Sequence, residues 1–120
     1  MHDPQMGPGS GLINRGTTHY LLGDFDAAIE DFTSALNLKP FVCLSSALYR
    51  GIARKSVQDY AGAIADFTLV IKGYSGLSNA YRHRADARRL SGDVSGADAD
   101  MLEYNRLGGV DLPAYSLPDG

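Results

Sequence analysis

The chain has 120 residues, 44% of them apolar and 21% charged, with a formal net charge of −3. That length suits one domain, which can bury about two-thirds of the surface its unfolded form exposes. The mildly acidic balance gives no bulk attraction to nucleic acid or an anionic membrane. No apolar run reaches the roughly 18 residues of a membrane span, and the single cysteine, Cys43, excludes a disulfide framework and a cysteine-based metal site. A reducing, cytoplasmic setting is the default expectation.

The first ten residues, MHDPQMGPGS, hold two Pro and two Gly without an apolar period. They read as a flexible, expression-derived leader. A first helix is expected over 10–22. Gly23 is a natural stop and Asp24 a natural cap for a second helix over 24–37. In that helix Phe25, Ala28, Ile29, Phe32, Ala35 and Leu36 fall at helical spacing and form one apolar stripe. Pro40 closes this unit, and Cys43 reads as a small apolar filler. The pattern returns with helices expected over 44–57 and 59–72 around Gln58-Asp59. It returns again over 78–91 and 93–106 around Gly92-Asp93. Residues 108–120, with two Pro and three Gly, read as an irregular tail.

These units are copies of one another. A shift of 35 residues lays Arg15-Gly16 on Arg50-Gly51, Asp24 on Asp59, Ala28 on Ala63, Ile29 on Ile64 and Phe32 on Phe67. A further shift of 34 gives a fainter third copy, with Arg84-Ala85, Asp93, Ala97 and Met101 in the corresponding places. Self-similarity at this period points to a repeat architecture. The small residues have a physical reason: Gly16 with Ala28, Gly51 with Ala63 and Ala85 with Ala97 let two helices approach closely. A larger side chain there would overpack the crossing at a cost of about 1–3 kcal/mol.

A period near 34, two helices per period and small residues at fixed places resemble the tetratricopeptide repeat (TPR) family. Gly16, Gly23, Ala28, Phe32, Ala35 and Pro40 carry the likeness in the first copy, Gly51, Ala63 and Phe67 in the second, and Tyr81, Ala85, Gly92 and Ala97 in the third. The resemblance implies an all-α fold. Antiparallel helix-turn-helix repeats, at about 10–42, 44–77 and 78–107, would stack into a short right-handed superhelical α-solenoid. The third copy departs by placing Asp98 where Ile29 and Ile64 stand, as a terminal repeat tolerates. Part of its outer hydrophobic face is then expected to stay open.

Charges sort by helix. The three first helices hold eight basic residues against one acid, Asp86, and the second helices hold ten acids against Lys72 and Arg106. In a TPR stack the first helices line the concave face, so the resemblance implies a basic groove on an acidic back. Arg15 to Asp31, Arg50 to Asp66 and Arg84 to Asp100 each span sixteen residues. The repeated spacing predicts a bridge inside each repeat. Arg54, Lys55, Arg82, Arg88 and Arg89 are left for the groove, whose other end is apolar and aromatic through Ile13, Thr17, Tyr20, Leu48, Tyr49 and Ile52. The expected partner-binding set is Tyr20, Tyr49, Ile52, Lys55, Arg82 and Arg89.

The expected function is a non-catalytic protein-protein interaction module that binds an acidic peptide segment of a partner. The alternative is self-assembly into a homo-oligomer through the open last repeat or the tail, whose acidic end and apolar Leu112, Tyr115 and Leu117 suit its own or a neighbour's groove. One TPR class clamps a chaperone's terminal carboxylate with Lys, Asn and Arg. The matching positions here hold Ile13, Thr17, Tyr49, Asn79 and His83, which argues against that ligand. His2, His19 and His83 fit no metal-ligand spacing, and His19 and His83 read as helix-surface residues. No phosphate loop or nucleophile–base pair stands out, so neither enzyme chemistry nor a cofactor is expected, and nucleic acid is the weakest partner reading.

Overall fold

The computed structural model describes residues 10–38 and 44–113, with the side chain of residue 10 left aside. The leader, Pro40, Cys43 and the tail from 114 onward lie outside these residues. Six helices follow in order: α1 (Ser10–Leu21), α2 (Phe25–Leu38), α3 (Leu44–Ser56), α4 (Tyr60–Gly73), α5 (Ser78–Leu90) and α6 (Val94–Arg106). No strand occurs among the described residues.

Each hairpin turns the same way for the same local reason. The chain leaves the first helix through a residue in the left-handed region, Gly23 (φ 82°), Gln58 (φ 67°) and Gly92 (φ 97°). That conformation lets the backbone reverse while the last carbonyls keep partners. An aspartate follows in each case. The carboxylates of Asp59 and Asp93 accept the backbone N–H of Gly62 at 3.0 Å and Gly96 at 2.9 Å. Asp24 reaches the N–H of Ala27 at 3.4 Å. These caps occupy donors that the start of a helix otherwise leaves unpaired.

Within a hairpin the helices meet at the expected small residues. A Cβ built on Gly16 would lie 2.8 Å from the Phe32 ring, and one on Gly51 would lie 2.6 Å from the Phe67 ring. Both phenylalanines are fully buried, as are Ala28, Ala63 and Ala97. The core continues between hairpins through Leu44, Ala47, Leu48, Val70, Leu77 and Ala80. Packing runs in sequence: α1 on α2, α2 on α3, and so on to α5 on α6. First helices also touch one another, α1 with α3 and α3 with α5, while second helices make no comparable contact. The stack therefore closes up along α1, α3 and α5, which form its inner wall. It is an all-α helical-repeat solenoid.

Candidate functional site

Three ion pairs, each on a buried aspartate, build the frame behind that wall. Arg15, Arg50 and Arg84 each grip an aspartate of the following helix with two parallel bonds. Nε donates at 3.0 Å and Nη2 at 2.7 Å to Asp31, Asp66 and Asp100. The sixteen-residue spacing thus yields the predicted bridges. Arg50 also donates to the Thr33 hydroxyl of the preceding hairpin, and Arg84 to that of Thr68, so each guanidinium ties two repeats together.

The same aspartates take two more of the expected groove cations. Arg54 donates to Asp66 at 3.0 Å and Arg88 to Asp100 at 2.9 Å. Both turn toward their own second helix rather than toward a ligand. A twelve-residue spacing carries this pairing, and in the first repeat His19 stands in the same place, 3.7 Å from Asp31. Arg15 beside Asp31 holds that carboxyl below the usual carboxylate range, with its hydrogen bond as the main cause.

On the inner wall lies a pocket of about 250 Å³ lined by Thr17, Tyr20, Leu21, Phe32, Tyr49, Ile52 and His83. Every hairpin contributes to it. Tyr20, Tyr49 and Ile52, expected from the sequence as groove residues, come together here. Tyr49 stacks on Phe32 with ring centroids 5.7 Å apart, and Tyr20 leans on Phe25 at 5.5 Å. These contacts hold the rings in place, so the cavity is preformed rather than collapsed.

His83 corrects the sequence expectation of a surface histidine. It stacks on Phe67 at 5.4 Å and closes the far side of the pocket. Burial, helped by the Lys55 and Arg82 charges, lowers its pKa to about 4, so it is neutral at pH 7. Its signal in the sequence was positional: it occupies the register of Tyr49, one repeat on.

The basic end differs from expectation as well. Lys55 lies 3.2 Å from His83 Nδ1 and 3.5 Å from Asp86. Arg82 shares Asp86 at 3.5 Å and makes its strongest contact with Asp111, 2.6 Å from Nη2 and 3.0 Å from Nε. Arg89 does not join the pocket lining; it pairs with Asp98 at 3.1 Å, both side chains half-exposed or more. The predicted basic groove is therefore a two-cation end, Lys55 and Arg82, balanced by Asp86 and Asp111. Most of the positive charge on the first helices is spent on holding hairpins together. Among the described residues no group of His, Cys, Asp and Glu could hold a metal ion, and no helix is long and apolar enough to cross a membrane.

Comparison with known proteins agrees with this architecture. The profile of the tetratricopeptide repeat matches residues 10–41. No curated protein matches the chain in sequence. Among solved structures, the first TPR of Spaghetti (RPAP3) bound to the HSP90 peptide SRMEEVD is similar. It has a TM-score of 0.80 and 21% identity over 91% of this chain and 86% of that one. The second TPR domain of human RPAP3 in complex with the HSP70 peptide SGPTIEEVD gives a TM-score of 0.80 and 24% identity over 92% and 93% of the two chains. PcrH in complex with the chaperone-binding region of PopB gives 0.79 and 21% over 84% and 81%. The profile match covers the first repeat, residues 10–41, and the similar structures show that the chain as a whole has the fold of these TPR domains.

Proposed function

We propose that this chain is a non-catalytic, peptide-binding module of the cytoplasm, and that its inner wall takes a partner segment carrying a bulky apolar side chain near an acidic one. The preformed apolar pocket, built from all three hairpins, carries this reading. About 250 Å³ accommodates one large side chain, and burying such an anchor supplies most of the affinity of a short segment. Lys55, beside His83 at the pocket edge, would orient a carboxylate and speed encounter. The similar folds bound to SRMEEVD and SGPTIEEVD support an acidic peptide as the ligand class. The carboxylate-clamp positions hold Ile13, Thr17, Tyr49, Asn79 and His83 here, so the proposed recognition rests on the apolar anchor rather than on a terminal carboxylate.

The test is selection from a random peptide library. The chain should enrich sequences that place a bulky apolar residue close to Asp or Glu. Ile52→Glu, which puts a charge into the pocket, should abolish enrichment, and Lys55→Glu should keep the apolar residue while losing the acidic one. Enrichment of the same peptides by the Ile52→Glu chain would refute the proposal.

A further inference from the structure

Residues 108–113 do not run free of the helices after α6. Gly108 and Gly109 both take positive φ, 114° and 65°, and the N–H of Gly109 returns to the carbonyl of Tyr104. This double reversal ends α6 and sends the chain back onto α5. There the Ser78 hydroxyl donates to the carbonyl of Val110. The N–H of Leu112 donates to Oδ1 of Asn79 at 3.1 Å. Arg82 holds the Asp111 carboxylate through two nitrogens, and Tyr104 adds a further hydrogen bond to it.

Those contacts divide into two kinds. Ser78 and Asn79 read backbone groups on either side of Asp111, which any extended peptide would present. Arg82 reads the carboxylate, and a planar guanidinium is well matched to that group. Together they make a short recognition track for an extended segment with one acidic residue. It adjoins the pocket, because Arg82 Nη2 lies 3.5 Å from the His83 ring. The apolar residues beside Asp111 add little grip, since Val110 is 65% and Leu112 37% exposed. Asp111 and Arg82 are themselves partly open to water, with side chains 44% and 31% exposed. Such a half-exposed pair is weak and readily exchanged.

We propose that residues 109–113 are a built-in competitor, occupying in cis the part of the inner wall where an incoming acidic segment would bind Ser78, Asn79 and Arg82. The inference deepens the peptide-binding reading above and rests on it. The tethered segment need not bind strongly to compete, because a short linker gives it a local concentration on the order of millimolar. An external segment wins when its apolar anchor also fills the pocket, whose lining residues 109–113 do not join.

The test uses the full chain and a fluorescent peptide copying residues 108–113, Gly-Gly-Val-Asp-Leu-Pro, followed by anisotropy. Asp111→Ala vacates Arg82, and the labelled peptide should bind that variant about tenfold or more tightly than the unaltered chain, as release of a tethered competitor requires. Binding should vanish in Asp111→Ala/Arg82→Glu and with a peptide carrying Asn for Asp, while circular dichroism stays unchanged. Equal binding to the unaltered chain and Asp111→Ala would overturn the proposal, and so would absence of binding to both at millimolar peptide or binding that survives Arg82→Glu. These outcomes are separate from the library test: the tail idea can fall at Asp111 and Arg82 while Ile52→Glu still abolishes enrichment.

Discussion

His83 concentrates the chemistry of the inner wall in one side chain. It is half-buried, stacked on Phe67, and Lys55 and Arg82 disfavour its charged form further. Its pKa falls from 6.5 to about 4 in the folded chain. Between those values the unfolded chain binds the proton and the folded chain does not. The stability contributed by the neutral ring is therefore fully present above pH 6.5 and is lost as pH falls toward 4, by as much as about 3 kcal/mol. Thermal melts should show the midpoint dropping from pH 7.5 to pH 5. In His83→Leu the drop should be smaller. An unchanged midpoint for the parent chain over that range would mean that the ring is not held in its neutral form. Asp31 and Asp111, whose carboxyls are held low by Arg15 and Arg82, act in the same direction, but only below the ordinary carboxylate range.

At the scale of the helical hairpin, two positions make opposite predictions from the same geometry. Gly51 faces the ring of Phe67 so closely that an added Cβ would sit 2.6 Å from it. Phe67 is fully buried and has nowhere to move. Gly51→Ala should cost about 1–3 kcal/mol through overpacking, even though alanine is the better helix former. Denaturant melts read this directly, and a more stable Gly51→Ala chain would contradict the close crossing. Gln58 is the reverse case. It adopts φ 67° at the turn where the other two hairpins carry Gly23 and Gly92. A side chain there costs roughly 1–2 kcal/mol, partly offset by the greater freedom glycine has when unfolded. Gln58→Gly should stabilise the second hairpin slightly, raising the denaturant midpoint, and a lower midpoint would argue against the left-handed turn.

At the scale of the whole molecule the question is what the ends of the stack can do. Each internal junction uses an arginine that reaches back to a threonine of the preceding hairpin, Arg50 to Thr33 and Arg84 to Thr68. At the last hairpin the register of those threonines holds Leu102, 73% exposed, and Asp98 replaces the isoleucine of the junction. Asp98 is engaged with Arg89. Among the described residues Leu102 leaves this outer face open, but it does not reproduce the surface on which another hairpin packs. Copies stacked end to end would set the Arg15 side chain against Leu102 and desolvate the Arg89–Asp98 pair. The chain should therefore sediment as a monomer, whereas Asp98→Ile/Leu102→Thr, which restores the junction pattern, should promote concentration-dependent association. Association of the unaltered chain at micromolar concentration would defeat this account.

How much of this was legible beforehand differs by kind of feature. The six helices, the turns at Gly23, Gln58 and Gly92, the close crossings at Gly16 and Gly51, and the three arginine–aspartate bridges all follow from local pattern repeated at a fixed period. Hairpins of similar sequence make the same contacts, so a spacing seen three times is a contact seen three times. Tyr20, Tyr49 and Ile52 were legible as inner-wall residues for the same reason. The destination of the remaining charges was not. Arg54, Arg88 and Arg89 carry the same charge as Arg82, and sequence register does not state which carboxylate each guanidinium reaches. The neutral state of His83 and the return of Asp111 to Arg82 were likewise decided by folding. Burial and charge pairing depend on three-dimensional neighbours far apart in the chain, whereas helix, turn and crossing depend on residues a few positions away or one repeat along.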